Sequence, residues 1–186
     1  MSVAGLLLAA GAGTRMGQPK ALIEGPDGVA WVASSARVLL DGGCDEVVVV
    51  IGAAQNQVRG LLTDEQVTTV FAAAWSEGMG ASLRVGLSAL AARSRADAAV
   101  VHLVDLPDVG AGVVERLIAV ADQHVLARAA YDTGRPGHPV LLGRDHWRGV
   151  MSVAVGDRGA RDYLRDRDVL AVDCSDLATG VDIDSR

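Results

Sequence analysis

The chain reads as an α/β sandwich around a mostly parallel sheet, and three observations predict it. Apolar runs rich in Val, Ala and Leu alternate with segments of helical spacing along the whole sequence. Aromatic residues make up only 3 % of the 186 residues, so small aliphatic side chains must fill the core, which suits helices laid over a sheet covered on both faces. No internal repeat, low-complexity stretch or linker breaks the pattern, and the length fits a single domain over 1–186.

The elements follow in order. Val3–Ala9 is continuously apolar and stops just before Gly11, as a buried strand should. Val29–Leu40 has helical spacing and halts at Gly42-Gly43. Glu46–Ile51, with four valines and an isoleucine, is a second buried strand. A short helix over Gln55–Leu62 and a third strand over Val67–Ala72 come next. Gly80–Ala92 predicts a helix with Leu83, Leu87 and Leu90 on one face. Ala98–Val104 is a fourth strand ending at Asp105, and Ala111–Ala121 a helix turning Val114, Leu117, Ile118 and Ala121 inward. Leu126–Tyr131 and Pro139–Leu142 are strands on either side of the turn-rich stretch Asp132–Gly137. Arg144–Met151 and Ala160–Arg165 are helical, Val169–Val172 is a last strand, and a polar tail closes the chain.

The formal net charge of -6 argues against a broad nucleic-acid or anionic-membrane surface, while leaving room for a local positive pocket. Cys44 and Cys174 are far apart and lack metal-ligand spacing. The opening apolar run is too short for a membrane span and has no basic flank, so the expectation is a cytoplasmic protein. Of the 17 residues that are Lys or Arg, Lys20 alone is lysine. It ends the loop Gly11-Ala12-Gly13-Thr14-Arg15-Met16-Gly17-Gln18-Pro19-Lys20, where a compact ammonium differs from a guanidinium in shape and hydration.

That loop is one of five candidate site segments. Its glycines allow consecutive N–H groups to face an anion, and Arg15 and Lys20 supply positive charge. The spacing is neither G-x-G-x-x-G nor a P-loop, since no Gly-Lys-Ser/Thr follows. Asp105, leaving a strand end into Leu106-Pro107, reads as a Mg²⁺ ligand or as a cap for the next helix. Ser82 reads as a helix cap or as a partner for a nucleobase edge, with Gly78 and Gly80 keeping the backbone low. Gly134–Pro139 reads as a surface turn or as a second-substrate site holding His138. Asp182 and Asp184 alternate on an extended segment, and read as paired carboxylates on one side or as a solvated tail. His102, His124 and His146 read as structural. Ligands of open α/β sheets bind beyond the carboxyl ends of strands, which places the Gly11–Lys20 loop and Asp105 on one rim.

Taken together, L-A-A-G-A-G-T-R-M-G-Q-P-K (8–20), W-S-E-G-M-G-A-S-L-R-V-G-L (75–87), D-L-P (105–107), R-P-G-H-P-V-L-L (135–142), G-D-R-G-A-R (156–161) and D-I-D (182–184) resemble the molybdenum cofactor nucleotidyltransferases, especially the cytidylyltransferase branch. The resemblance covers nearly the whole chain. It implies a three-layer α/β/α Rossmann-like nucleotidyltransferase fold whose mixed sheet has one antiparallel strand. It implies transfer of CMP from CTP to the phosphate of the pterin cofactor with Mg²⁺, and a molybdoenzyme or its chaperone as recipient of the product. Carried over, Leu8, Ala9, Ala10, Gly11, Gly13, Gly80 and Ser82 hold the nucleotide, and Arg15 and Lys20 grip its phosphates. Asp105 and Asp182 hold the metal, and Gly137 and His138 border the acceptor. Ala10, where the guanylyltransferase branch tends to have glycine, favours the smaller pyrimidine.

Other readings stay open on the residues alone. They are GTP or another nucleoside triphosphate with a different phosphorylated acceptor such as a sugar phosphate, or a non-catalytic nucleotide- or cofactor-binding module. Two departures from the family pattern carry expectations: Ala73-Ala74 replace the frequent Asn-Pro before Trp75, and the sequence stops two residues after Asp184, which predicts a loosely held Asp182.

Overall fold

The computed structural model describes residues 1–132 and 134–183. Seven strands form one sheet: β1 (Val3–Ala9), β2 (Glu46–Ile51), β3 (Thr68–Phe71), β4 (Ala98–Leu103), β5 (Leu126–Tyr131), β6 (Arg135–Gly143) and β7 (Leu170–Asp173), in the order β3-β2-β1-β4-β6-β5-β7. Every pairing is parallel except those of β6, which runs antiparallel to both β4 and β5. The expected mixed sheet with one antiparallel strand is therefore observed.

Alternation along the strands sorts their side chains into two cores. Leu7, Val49 and Val100 face one layer, formed by α1 (Trp31–Asp41), α2 (Gln55–Leu61) and α4 (Ala111–Ile118). Leu6, Leu8, Val50 and Val101 face the other, formed by α3 (Met79–Arg93), α5 (Arg144–Val153) and α6 (Arg161–Arg165). The leucine stripe of α3, Leu83, Leu87 and Leu90, is buried as its spacing requires. Trp147, the largest fully buried side chain, satisfies its indole by donating Nε1–H to the Leu142 carbonyl at 2.8 Å.

In the segment expected to be turn-rich, Asp132–Gly137, Asp132 and Gly134 are turn, but Arg135, Pro136 and Gly137 are strand. β6 begins at Arg135, whose Cα pairs with Tyr131, and Pro136 pairs with Ala130. The β5–β6 register shifts between Arg128 and Ala130, and such an irregularity tolerates a proline that cannot donate to the ladder. Gly137 and His138 thus sit on a strand rather than a loop.

Strand order fixes where a site can form. From β1 the chain moves outward through β2 and β3, then returns to place β4 on the other side of β1. Connections leaving β1 and β4 diverge to opposite sides, which opens a crevice at the carboxyl ends of these two parallel strands.

Candidate active site

β1 and β4 run in register to Leu8↔Leu103, so the segments after them emerge side by side. The first is the glycine loop. Gly13 has φ +62°, and a Cβ built there would stand 1.8 Å from the Gln18 carbonyl oxygen, so the loop closes on itself only with glycine at this position. Met16 N–H donates to the Gly13 carbonyl at 2.9 Å and tightens the turn. The loop thereby delivers Lys20, at the start of the short 3₁₀ turn Lys20–Leu22, to the end of β4. There Lys20 Nζ donates to Asp105 Oδ2 at 2.8 Å.

This pair is only 16 % and 20 % exposed, and it meets from 85 residues apart. Asp105 Oδ1 is buried with no hydrogen-bond partner among the described residues. A carboxylate oxygen left in that state is costly unless a cation or donor completes it. Asp105 does not cap α4, whose N-cap is Gly110.

The second wall is the start of α3. Gly78, its N-cap, has φ +110°, and a Cβ there would lie 2.5 Å from Asp157 Oδ1; one on Gly80 would lie 2.7 Å from the Val155 nitrogen. Both glycines serve to let residues 154–157 press against the helix. Ser82 is buried in the first turns of α3 and faces the crevice, and among the described residues it makes no capping bond to the helix start.

The crevice has two connected parts. One, of about 390 Å³, is lined by Leu8, Ala10, Gly11, Gly13, Lys20, Ser82 and Asp105, with Trp75, Met79 and Asp157 opposite. The other, of about 710 Å³, shares Gly13, Lys20 and Asp105 and adds Arg15, Gly137, His138, Arg161 and Asp182. The structure does not bring Ala9 or Gly80 to either wall. The Ala9 side chain points to the opposite face of β1, into the α1 layer, and Gly80 is packed under Ala154 and Val155. Asp157 reaches both parts, and sequence reading gave it no role. The one signal was its place in the G-D-R-G-A-R stretch (156–161), between Gly156 and Gly159, which the structure shows at positive φ.

The tail is held more firmly than its sequence position predicts. Thr179 N–H and Oγ1–H both donate to Asp108 Oδ2, at 2.7 and 2.5 Å, and Arg135 donates to the Thr179 carbonyl at 2.8 Å. Ile183 N–H donates to the backbone carbonyl of Asp105 at 3.0 Å. The tail backbone next to Asp182 is thus tied to Asp105 itself. Asp184 lies outside the described residues. Among those described, no group of three or more His, Cys, Asp or Glu side chains gathers as a metal cage. Mg²⁺ needs no such cage, because it retains waters and takes one or two carboxylates with substrate phosphate oxygens.

His138 sits in the second part of the crevice. Burial lowers its pKa, Asp105 and Asp182 work in the opposite sense, and Arg161 adds to the lowering. His102, on β4, is fully buried; neither ring nitrogen has a partner among the described residues, and burial pushes its pKa down to about 3. Its folded pKa lies below the unfolded value of about 6.5, so folding is hindered when the unfolded chain gains a proton that the native state refuses. Stability is full above about pH 6.5 and declines as pH falls from there toward 3. His102→Leu is expected to flatten the fall in urea midpoint between pH 7 and pH 5, and an unchanged slope would assign that fall to other groups.

Comparison with known proteins agrees with this geometry. The MobA-like NTP transferase domain matches residues 5–172. A relative named nicotine blue oxidoreductase, from Paenarthrobacter nicotinovorans, is 38 % identical over 98 % of this chain and 92 % of its own length. The crystal structure of Rv0371c from Mycobacterium tuberculosis H37Rv superposes with a TM-score of 0.84 at 26 % identity, covering 100 % of this chain and 93 % of that one. Its complex with manganese gives 0.76 at 27 %, covering 98 % and 94 %. A nucleotidyl transferase from Methanothermobacter thermautotroptrophicus shares the fold, with a TM-score of 0.82 at 23 % identity over 99 % and 92 % of the two chains. A glycine loop and an acidic strand end converge on one crevice, and a family match spans nearly the whole sheet: this chain belongs to the MobA-like NTP transferase family and is a nucleotidyltransferase.

Proposed function

We propose that the chain transfers CMP from CTP to the phosphate of a pterin cofactor, using Mg²⁺. The observation that carries this reading is the Lys20–Asp105 contact at 2.8 Å beside a buried Asp105 Oδ1 that has no partner among the described residues. An ammonium and a carboxylate with an open coordination position, set over a glycine loop, suit a polyphosphate and its divalent ion. Asp105 and Asp182 would hold Mg²⁺, whose chemistry when bound is to neutralise charge on the phosphate oxygens. In the reaction an oxygen of the acceptor phosphate attacks the α-phosphorus. The bond from that phosphorus to the α,β-bridging oxygen breaks, and pyrophosphate leaves with the electron pair. Such transfer needs in-line positioning and charge neutralisation more than covalent help. Lys20 and Arg15 meet the triphosphate, Ser82 with Leu8, Ala10 and Gly11 frame the base, and Gly137 and His138 border the acceptor.

The preference for cytosine rests on Ala10. Ala10 lines the crevice wall and is only 4 % exposed, so its methyl has little freedom to withdraw. A purine must meet this methyl sooner than a pyrimidine. Ala10→Gly is expected to narrow the CTP-over-GTP preference in kcat/KM by roughly tenfold, the worth of one or two methylene-sized contacts. Pyrophosphate release from each nucleoside triphosphate, with Mg²⁺ and either the pterin phosphate or a sugar phosphate, tests the reading. Release with the sugar phosphate alone would redirect the acceptor assignment. Tight CTP binding without release would favour a non-catalytic binding module. The relative named nicotine blue oxidoreductase favours a second reading, in which the crevice also serves an oxidoreductase activity. Reduction of nicotine blue by this chain at the expense of a supplied two-electron donor, stoichiometric in the two, is the result that reading requires.

A further inference from the structure

Beyond the crevice lies a third cavity, of about 820 Å³, joined to it through Gly137, His138 and Arg161. Its walls carry Arg128, Arg158, Arg161, Arg165 and Arg167 against Asp157 and Asp168, so five positive charges face two negative ones in a chain whose formal net charge is -6. Three of the arginines are already engaged. Arg158 and Arg165 both pair with Asp162, while Arg167 stacks over the Tyr163 ring at 3.5 Å and donates to the Tyr163 carbonyl at 2.6 Å. Arg128 is different. It projects from β5, opposite Val140 of β6, and its Nε is buried with no hydrogen-bond partner among the described residues. An orphaned guanidinium nitrogen at the wall of a positive cavity marks a place where an anion completes the structure.

We propose that this cavity, anchored by Arg128, binds a second anionic group of the acceptor, such as a phosphate, carboxylate or oxoanion at the end remote from the attacking phosphate. The anion site stands on its own geometry; naming its ligand as the acceptor rests on the transferase reading given above. Arg128 is level with Val140 of β6 and Val101 of β4, two strand spacings or about 10 Å from β4 across the sheet, and Asp105 lies four residues beyond Val101. A compact sugar monophosphate held beside Asp105 cannot span that distance, whereas a longer acceptor that carries a second anionic group away from its attacking phosphate does. The cavity therefore selects for length and for a second charge.

The test has a binding arm and a kinetic arm. With CTP and Mg²⁺ saturating the nucleotide crevice, inorganic phosphate is titrated into the wild-type protein, Arg128→Gln and Arg128→Lys, followed by calorimetry. We expect phosphate affinity to fall roughly tenfold in Arg128→Gln, the worth of one charge-assisted contact, and to recover in part in Arg128→Lys, with CTP affinity equal in all three. Equal phosphate affinity in wild type and Arg128→Gln, both melting normally, overturns the anion site. In turnover, Arg128→Gln should raise KM for the pterin phosphate roughly tenfold and leave KM for CTP and for ribose 5-phosphate unchanged. A parallel rise in all three KM values would mark a merely structural role and overturn the proposal. Arginine-dependent phosphate binding in a protein that transfers nothing to the pterin phosphate would keep the anion site and end the acceptor assignment instead.

Discussion

Lys20→Ala is expected to lower kcat/KM for CTP about a thousandfold while leaving the protein folded. In the mechanism proposed above, the charge that develops at the α-phosphorus meets the Lys20 ammonium, and removing one positioned charge of that kind costs about 4 kcal/mol of transition-state stabilisation. Folding loses less. The pair with Asp105 is 16 % and 20 % exposed, so water and counterions replace part of it, and the cost is about 1–3 kcal/mol, concentrated in the Asp105 carboxylate left behind. Activity and stability therefore separate by orders of magnitude in rate against a few degrees in Tm. Lys20→Arg should restore most of the Tm and little of the turnover, because the guanidinium is a broad planar fork where the loop delivers a compact ammonium. Steady-state kinetics and thermal melts of both variants check this, and a Lys20→Ala enzyme within tenfold of wild type would remove Lys20 from the chemistry.

The chain announced much of this site, for identifiable reasons. Lys20 stood out because it is the sole lysine, and Asp105 because it leaves a strand end into Leu106-Pro107; each signal is local, and the rule that ligands bind beyond the carboxyl ends of the strands then placed both on the rim. Their contact at 2.8 Å depends on β4 lying beside β1, a non-local pairing that the spacing of segments leaves open. Only the start of β6 was hidden by its composition: Arg135-Pro136-Gly137 has turn chemistry, and pairing of Arg135 and Pro136 with Tyr131 and Ala130 turns it into strand ahead of the expected Pro139–Leu142. Arg128 was invisible as well. A single charge in an otherwise apolar strand looks like any exposed strand residue until the neighbours on α6 and β7 enclose it. The tail was misjudged because its anchors, Asp108, Arg135 and the Asp105 carbonyl, lie 44 or more residues away in sequence.

Asp105→Asn should produce the second large effect, and its signature is the loss of metal dependence rather than of fold. Asn keeps the shape of the side chain and its contact with the strand end but removes the charge from the buried Oδ1 that has no partner among the described residues. A neutral amide oxygen there is a poor ligand for a hard divalent cation. In wild type, Mg²⁺ and CTP together at about 100 times their dissociation constant should stabilise the native state by about 2.7 kcal/mol, seen as a rise in Tm. In Asp105→Asn that increment should vanish and turnover fall about a thousandfold, since the metal's share of charge neutralisation goes with it. Without Mg²⁺ the variant should lose only about 1–2 kcal/mol, because Lys20 keeps a hydrogen-bond acceptor in place. Asp182→Asn should show the same signature more weakly, for its carboxylate is exposed and has less to gain from a bound cation. Melting curves with and without Mg²⁺ and CTP order the three proteins. An Asp105→Asn protein that still gains the full increment would place the metal on other ligands, and the Lys20–Asp105 pair would then be a structural clamp on the glycine loop.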